Sequence, residues 1–214
     1  MTDHDNQTES SPITTRRGVR SFVIRQGRMT DGQKKAYERL WPTYGLTREQ
    51  GMIDPRQIFG REAWLNLEIG FGMGDSLIKM AEADPTTQFV GIDVHRPGVG
   101  HLFSQVLTKN IQNVRVYAED AVDVFAQCLA PDSLDAVHIF FPDPWHKKRH
   151  HKRRLIQPDW VHELAFRLKP GGCLHLATDW EPYAEHMFDV LEAQPALVNA
   201  SGKPRTAVPR PDYR

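Results

Sequence analysis

Cysteine is nearly absent: Cys128 and Cys173 are the only two in 214 residues, each in an apolar setting. That excludes a disulfide framework as the source of stability and points to a reducing compartment. No run approaches the roughly 20 consecutive apolar residues of a membrane span. The first fifteen residues, MTDHDNQTESSPITT, lack the apolar block of a secretion signal and read as a disordered polar tail. A cytoplasmic location with no membrane partner is expected. Metal-ligand spacing is missing too. His146, His150 and His151 have no cysteine or acid pair at structural-zinc spacing and stand among six cations, so no metal is expected.

Net charge is also absent, since 27 Lys and Arg balance 27 Asp and Glu, but the charges are unevenly placed. Between Arg16 and Arg39 eight Lys and Arg face only Asp31 and Glu38, and HKKRHHKRR from His146 to Arg154 contains no acid. Two basic blocks in a neutral chain suggest a polyanion bound on one face, against the simpler alternative of solvated surface. The length allows one α/β core with a short appendage. We divide it into the tail at 1–15, a basic N-terminal arm at 16–60, and one domain at 61–214. A monomer is expected.

From Trp64 onward short β-branched runs alternate with segments of helical period, the pattern of a parallel sheet with crossover helices. Strands are predicted at Trp64–Ile69, Gln88–Asp93, Val114–Tyr117, Leu134–Phe141, Gly172–Thr178 and Ala196–Ala200. Helices are predicted at Asp75–Ala83, Gly98–Lys109, Pro158–Leu168 and Glu181–Ala193, with another possible at Gly32–Leu40. Lys169-Pro-Gly-Gly reads as the stop between helix and strand. Trp41, Trp64 and Trp160 are read as core residues. The expected fold is a Rossmann-like, doubly wound, mostly parallel sheet with flanking helices.

EIGFGMG, from Glu68 to Gly74, follows a predicted strand and opens a predicted helix. Gly70, Gly72 and Gly74 permit a tight turn and close approach of a ligand to the backbone. The spacing is G-x-G-x-G, with an acid two residues before the first glycine. A carboxylate there suits the ammonium of a methionine moiety and would repel a pyrophosphate, which favours S-adenosylmethionine over NAD. Asp93 ends the second strand, where an acid can accept from ribose hydroxyls. Asp120 and Ala121 follow the third and can contact adenine. Helix capping or loop solvation is the alternative for each acid alone.

The fourth predicted strand runs into PDPWHKKRHHKRR. Pro142 and Pro144 stiffen the loop around Asp143, and Trp145 offers a flat face for stacking a base. FFPDPWHKKRHHKRR, from Phe140 to Arg154, closely resembles the signature of bacterial-type tRNA (guanine-N7)-methyltransferases. The likeness extends over RSFVIRQGRMTDGQ (Arg20–Gln33), EIGFGMG, GIDVHRPG (Gly91–Gly98), ATDWEPYA (Ala177–Ala184) and VPRPDYR (Val208–Arg214).

The resemblance implies a class I methyltransferase using S-adenosylmethionine on the variable-loop guanosine of tRNA. It implies that Glu68, Asp93, Asp120 and Asp143 contact the cofactor, with Asp143 also at the active site. By the same resemblance Lys147 and Asp179 contact substrate, and the strip containing Arg149, Lys152, Arg153 and Arg154 contacts RNA. Capping of the helix near Glu181 is the other reading of Asp179. The family pattern continues past Arg214 with a Thr-x-Phe-Glu segment that contacts substrate, so this segment and a seventh, antiparallel strand are expected to be missing from the chain. The alternatives are another class I RNA methyltransferase, acting on rRNA, and an RNA-binding member of the fold without activity.

Overall fold

A computed structural model describes residues 27–202. The polar tail, the first part of the basic arm with Arg20 and Arg25, and the segment Val208–Arg214 lie outside the described residues.

Among the described residues six strands form one sheet: β1 (Gly45–Leu46), β2 (Leu65–Ile69), β3 (Gln88–Ile92), β4 (Val114–Tyr117), β5 (Leu134–Phe140) and β6 (Leu168–Ala177). Their order is β1-β4-β3-β2-β5-β6, and every pair is parallel. Parallel strands buried on both faces need no polar alternation. QFVGI of β3 is accordingly buried at all five positions. The helices described with them are α1 (Asp31–Tyr44), α2 (Pro55–Phe59), α3 (Asp75–Ala83), α4 (Arg96–Lys109), α5 (Ala121–Cys128), α6 (Pro158–Arg167) and α7 (Glu181–Glu192). Leu77, Leu102, Phe103 and Val106 of α3 and α4 pack with Phe89, Val114 and Val116 in one cluster. Phe125, Val161, Leu164 and Tyr183 of α5, α6 and α7 pack with Leu67, Val137 and Ile139 in the other. Helices on both faces make the sheet doubly wound.

Residues 31–46 fall in the stretch read as a basic arm, yet they are packed into the domain. Thr30 caps α1 in a capping box with Gln33, donating its N–H at 2.9 Å and accepting at 3.3 Å. The helix continues beyond Leu40 because Tyr37 and Trp41 stack at 4.9 Å and lean on Phe103 of α4. β1 then pairs with β4, adding an edge strand that no periodicity announced.

Three further expectations are corrected. Ala196–Ala200 forms no strand: the chain turns after Gln194, whose carbonyl accepts from Leu197 at 3.1 Å, and Val198 stays 88% exposed. Trp64 is not core. It stands 70% exposed, one residue ahead of β2 and beyond the cover of the helices. Lys169-Pro-Gly-Gly does not precede the last strand; it is an irregularity inside β6, where the register jumps from Leu134↔Leu168 to Ala136↔Cys173. Among the described residues there is no antiparallel strand.

Of the described glycines, Gly98 of α4 has the least room for a β-carbon, and what fills it is the backbone of the turn after β2. A Cβ on Gly98 would sit 1.8 Å from the carbonyl oxygen of Gly72. Since main chain cannot swing aside, Gly98→Ala is expected to destabilise by about 1–3 kcal/mol, read from the urea midpoint. Gly32→Ala, where the nearest atom would lie 4.0 Å away on the Thr30 side chain, should instead stabilise by up to about 1 kcal/mol.

Candidate active site

The sheet order reverses at β2, which has β3 on one side and β5 on the other. Open α/β sheets bind ligands in the crevice outside the carboxyl ends of the strands at such a point. A cavity of about 520 Å³ opens there, lined by Gly70 and Gly72 after β2, Asp93 and His95 after β3, Asp120 and Ala121 after β4, and Phe141 and Asp143 after β5.

The turn after β2 is glycine-rich because it must be. Gly70 and Gly72 have φ of 74° and 59°, a region that crowds any β-carbon. Nothing lies within 4 Å of where a β-carbon would stand on either, so the backbone is bare toward a ligand. The Gly72 N–H donates to Asp93 Oδ2 at 2.7 Å, and the His95 N–H donates to Oδ1 at 2.8 Å. Asp93 thereby ties two strand ends together, and each oxygen keeps a second lone pair for a ligand. Burial raises its pKa despite these bonds.

Glu68 stands elsewhere than expected. It is 2% exposed, beneath the turn rather than on the cavity wall. Ser76 donates its hydroxyl to Oε1, while Oε2 has no partner among the described residues. Burial, with Asp93 nearby, pushes its pKa up to about 7. An orphaned carboxylate oxygen at this depth fits a cationic group arriving at the glycine turn. Gly74 serves structure as well. It caps α3 in the left-handed region, and a β-carbon there would meet Leu102 at 2.7 Å.

Asp120 takes on helix capping along with its place on the wall, accepting from the Val122 N–H at 3.0 Å at the start of α5. Its neighbour Glu119, which sequence reasoning passed over, also lines the cavity. Arg48 holds it, donating through its backbone N–H at 3.0 Å and through Nε, while Nη1 reaches Asp123 at 2.9 Å. The pairing spans 71 residues, so no local pattern discloses it.

The loop after β5 divides the basic strip. Arg154, expected among RNA contacts, is 3% exposed. Its Nε donates to the Pro144 carbonyl at 2.9 Å, and its guanidinium lies 4.7 Å from the Tyr183 ring centre. It therefore braces the loop that carries Asp143. Trp145, expected to stack a base, has the Arg153 guanidinium 4.2 Å over its ring and His150 at 5.8 Å. Lys147, Lys148, Arg149 and Lys152 are exposed. Asp179 is exposed and does not cap α7, whose cap is Trp180. His146 meets Trp180 edge-on at 4.3 Å, which brings the turn bearing Asp179 beside the basic loop.

The family model described as "Putative methyltransferase" matches residues 62–211. The tRNA (guanine-N(7)-)-methyltransferase of Marinobacter nauticus is 58% identical over 214 residues, 100% of this chain and 90% of that protein. Its namesakes from Alcanivorax borkumensis and Saccharophagus degradans are 50% and 52% identical, over 99% and 95% of this chain and 87% and 88% of theirs. Identity of this degree along the whole chain, joined to a cavity of this kind at the switch point, means that the protein belongs to the tRNA (guanine-N7-)-methyltransferase family.

Proposed function

We infer that this chain transfers a methyl group from S-adenosylmethionine to N7 of a guanine in tRNA, in the cytoplasm, and that the target is the variable-loop guanosine. The observation that carries the reading is one cavity that joins Gly70, Gly72, Asp93 and Asp120 to Asp143. Incubation with labelled S-adenosylmethionine and bulk tRNA, followed by nucleoside identification, tests it. A labelled nucleoside other than 7-methylguanosine, or none, would overturn it.

When bound, the cofactor supplies an electrophilic methyl on a sulfonium. The Gly70–Gly72 turn, open where β-carbons would stand, and the orphaned Glu68 oxygen suit its amino-acid end, Asp93 its ribose, and Asp120 with Ala121 its adenine. Guanine N7 carries a free lone pair at neutral pH. N7 would take the methyl in line as sulfur kept the bonding pair, and no proton would need to be removed, so the chain need supply no base. The protein's tasks are in-line placement and stabilisation of the cation growing on guanine. Asp143 stands on the cavity wall between Pro142 and Pro144, on a loop braced by Arg154. From there it can orient guanine or offset its developing charge. Lys147, Arg149 and Lys152, exposed in the segment that follows Asp143, suit RNA phosphates, and Asp179 suits donor groups of the substrate.

Glu68 links binding to pH. Its folded pKa, about 7, exceeds the ordinary 4.5, so the folded state holds a proton that the unfolded chain has lost. Stability is then complete below about pH 4.5 and falls by about 3 kcal/mol as pH rises through 7. Glu68→Gln should flatten that fall in thermal melts. A cation beside Glu68 favours the carboxylate, so S-adenosylhomocysteine binding at pH 6 should release a proton, seen by calorimetry in buffers of different ionisation heat. Proton-neutral binding would detach Glu68 from the ligand.

Asp143→Asn should lower turnover at least tenfold while tRNA affinity stays within about twofold. Near-normal turnover would remove Asp143 from the chemistry. In the basic loop, Lys147, Arg149 and Lys152 replaced together by Ala should flatten the slope of log affinity against log salt by about two to three units. Arg154→Ala should instead cost about 1–3 kcal/mol of stability, because Pro144 loses its buried donor. An unchanged salt slope in the triple variant would mean that the loop is only solvated surface.

A further inference from the structure

β5 ends at Phe140, but its hydrogen bonding runs one residue further, with the Phe141 N–H donating to the Ala177 carbonyl at 2.8 Å. There the chain turns sharply, and Phe141 takes a φ of 51°. A bulky side chain at positive φ is crowded by its own β-carbon, and such positions persist where the surroundings hold them, often at functional sites. Phe141 is also 52% exposed, so a large apolar ring stays in water beside a deep core. Neither feature helps the fold. Both place an aromatic face on the cavity wall next to Pro142 and Asp143.

Its position along the sheet assigns it an end of that cavity. Asp120 follows β4 and Asp93 follows β3, both on one side of β2, whereas Phe141 follows β5 on the opposite side. With adenine at Asp120 and ribose at Asp93, the sulfonium would follow the ribose toward β2, and Phe141 stands across β2 from both acids. The other flat residue of the loop, Trp145, is covered by Arg153 and His150. Phe141 has no ring partner among the described residues.

We propose that the exposed face of Phe141 is the platform on which the target guanine stacks during methyl transfer, a role that rests on the function inferred above. The chemistry rewards an aromatic face over a merely apolar one. Guanine becomes cationic as the N7–methyl bond forms, and a π face attracts a cation more than a neutral ring. Phe141 would then bind the transition state better than the ground state, which raises turnover rather than affinity alone.

The test compares Phe141→Gly, Phe141→Leu and Phe141→Tyr with the unaltered protein in methylation of tRNA guanine, S-adenosylhomocysteine calorimetry and thermal melting. Glycine accepts the φ of 51°, so this variant should melt no lower than the parent. Its kcat on tRNA should nonetheless fall about 10- to 100-fold, the range expected for a lost base stack. Leucine keeps apolar bulk without a π face, and Phe141→Leu should lose nearly as much, while Phe141→Tyr recovers most of the rate. S-adenosylhomocysteine affinity should hold within about twofold throughout. Parental kcat in Phe141→Gly, or a loss that follows S-adenosylhomocysteine affinity, would overturn the proposal alone. An unaltered protein that does not methylate tRNA guanine would overturn the inferred function and the proposal with it.

Discussion

The Gly72 N–H and the His95 N–H both point at the carboxylate of Asp93. Two backbone donors on one half-buried acid hold the ends of β2 and β3 at a fixed separation, and the cavity depends on that separation. The same turn presses the Gly72 carbonyl against α4 so closely that only glycine fits at position 98. Loosening either contact would let α4 and the glycine turn separate and would open the floor of the site. Asp93 thus braces the scaffold with one set of lone pairs and offers the remainder to a ligand.

Charge is sorted by depth. The acids Glu68, Asp93, Glu119 and Asp120 gather at the strand ends, where low dielectric makes each worth more and burial raises the pKa values of Glu68 and Asp93. The cations Lys147, Lys148, Arg149 and Lys152 stand outside, in water. A cationic cofactor fits the first environment, and a polyanion fits the second. The two fields meet at the loop after β5, where Asp143 stands. Arg154 shows what the sorting demands of an individual residue. Although it belongs to a basic run, its guanidinium is turned inward onto Pro144 and Tyr183, so one cation of the run supports the loop that the others surround.

Period and punctuation in the sequence were enough for the parallel strands β2 to β5, for α3, α4, α6 and α7, and for the glycine turn with its acids, because each is a local pattern. A positive φ selects glycine within a few residues, and burial on both faces selects β-branched runs wherever a strand lies. The sequence by itself therefore determined the fold class and the ordered series Gly70, Gly72, Asp93, Asp120 and Asp143. Tertiary structure alone decided which members of those patterns face inward. Whether Arg154 meets a phosphate or Pro144, whether Glu68 lies on the wall or beneath it, and whether Trp145 or Phe141 shows an open face depend on contacts between residues that the chain brings together only after folding. The strand β1 and the ion pair of Arg48 with Glu119 are of that kind as well. Periodicity reports a residue's own preference for burial or solvent, whereas an orientation is set by the partner opposite, and that partner stands far away in sequence.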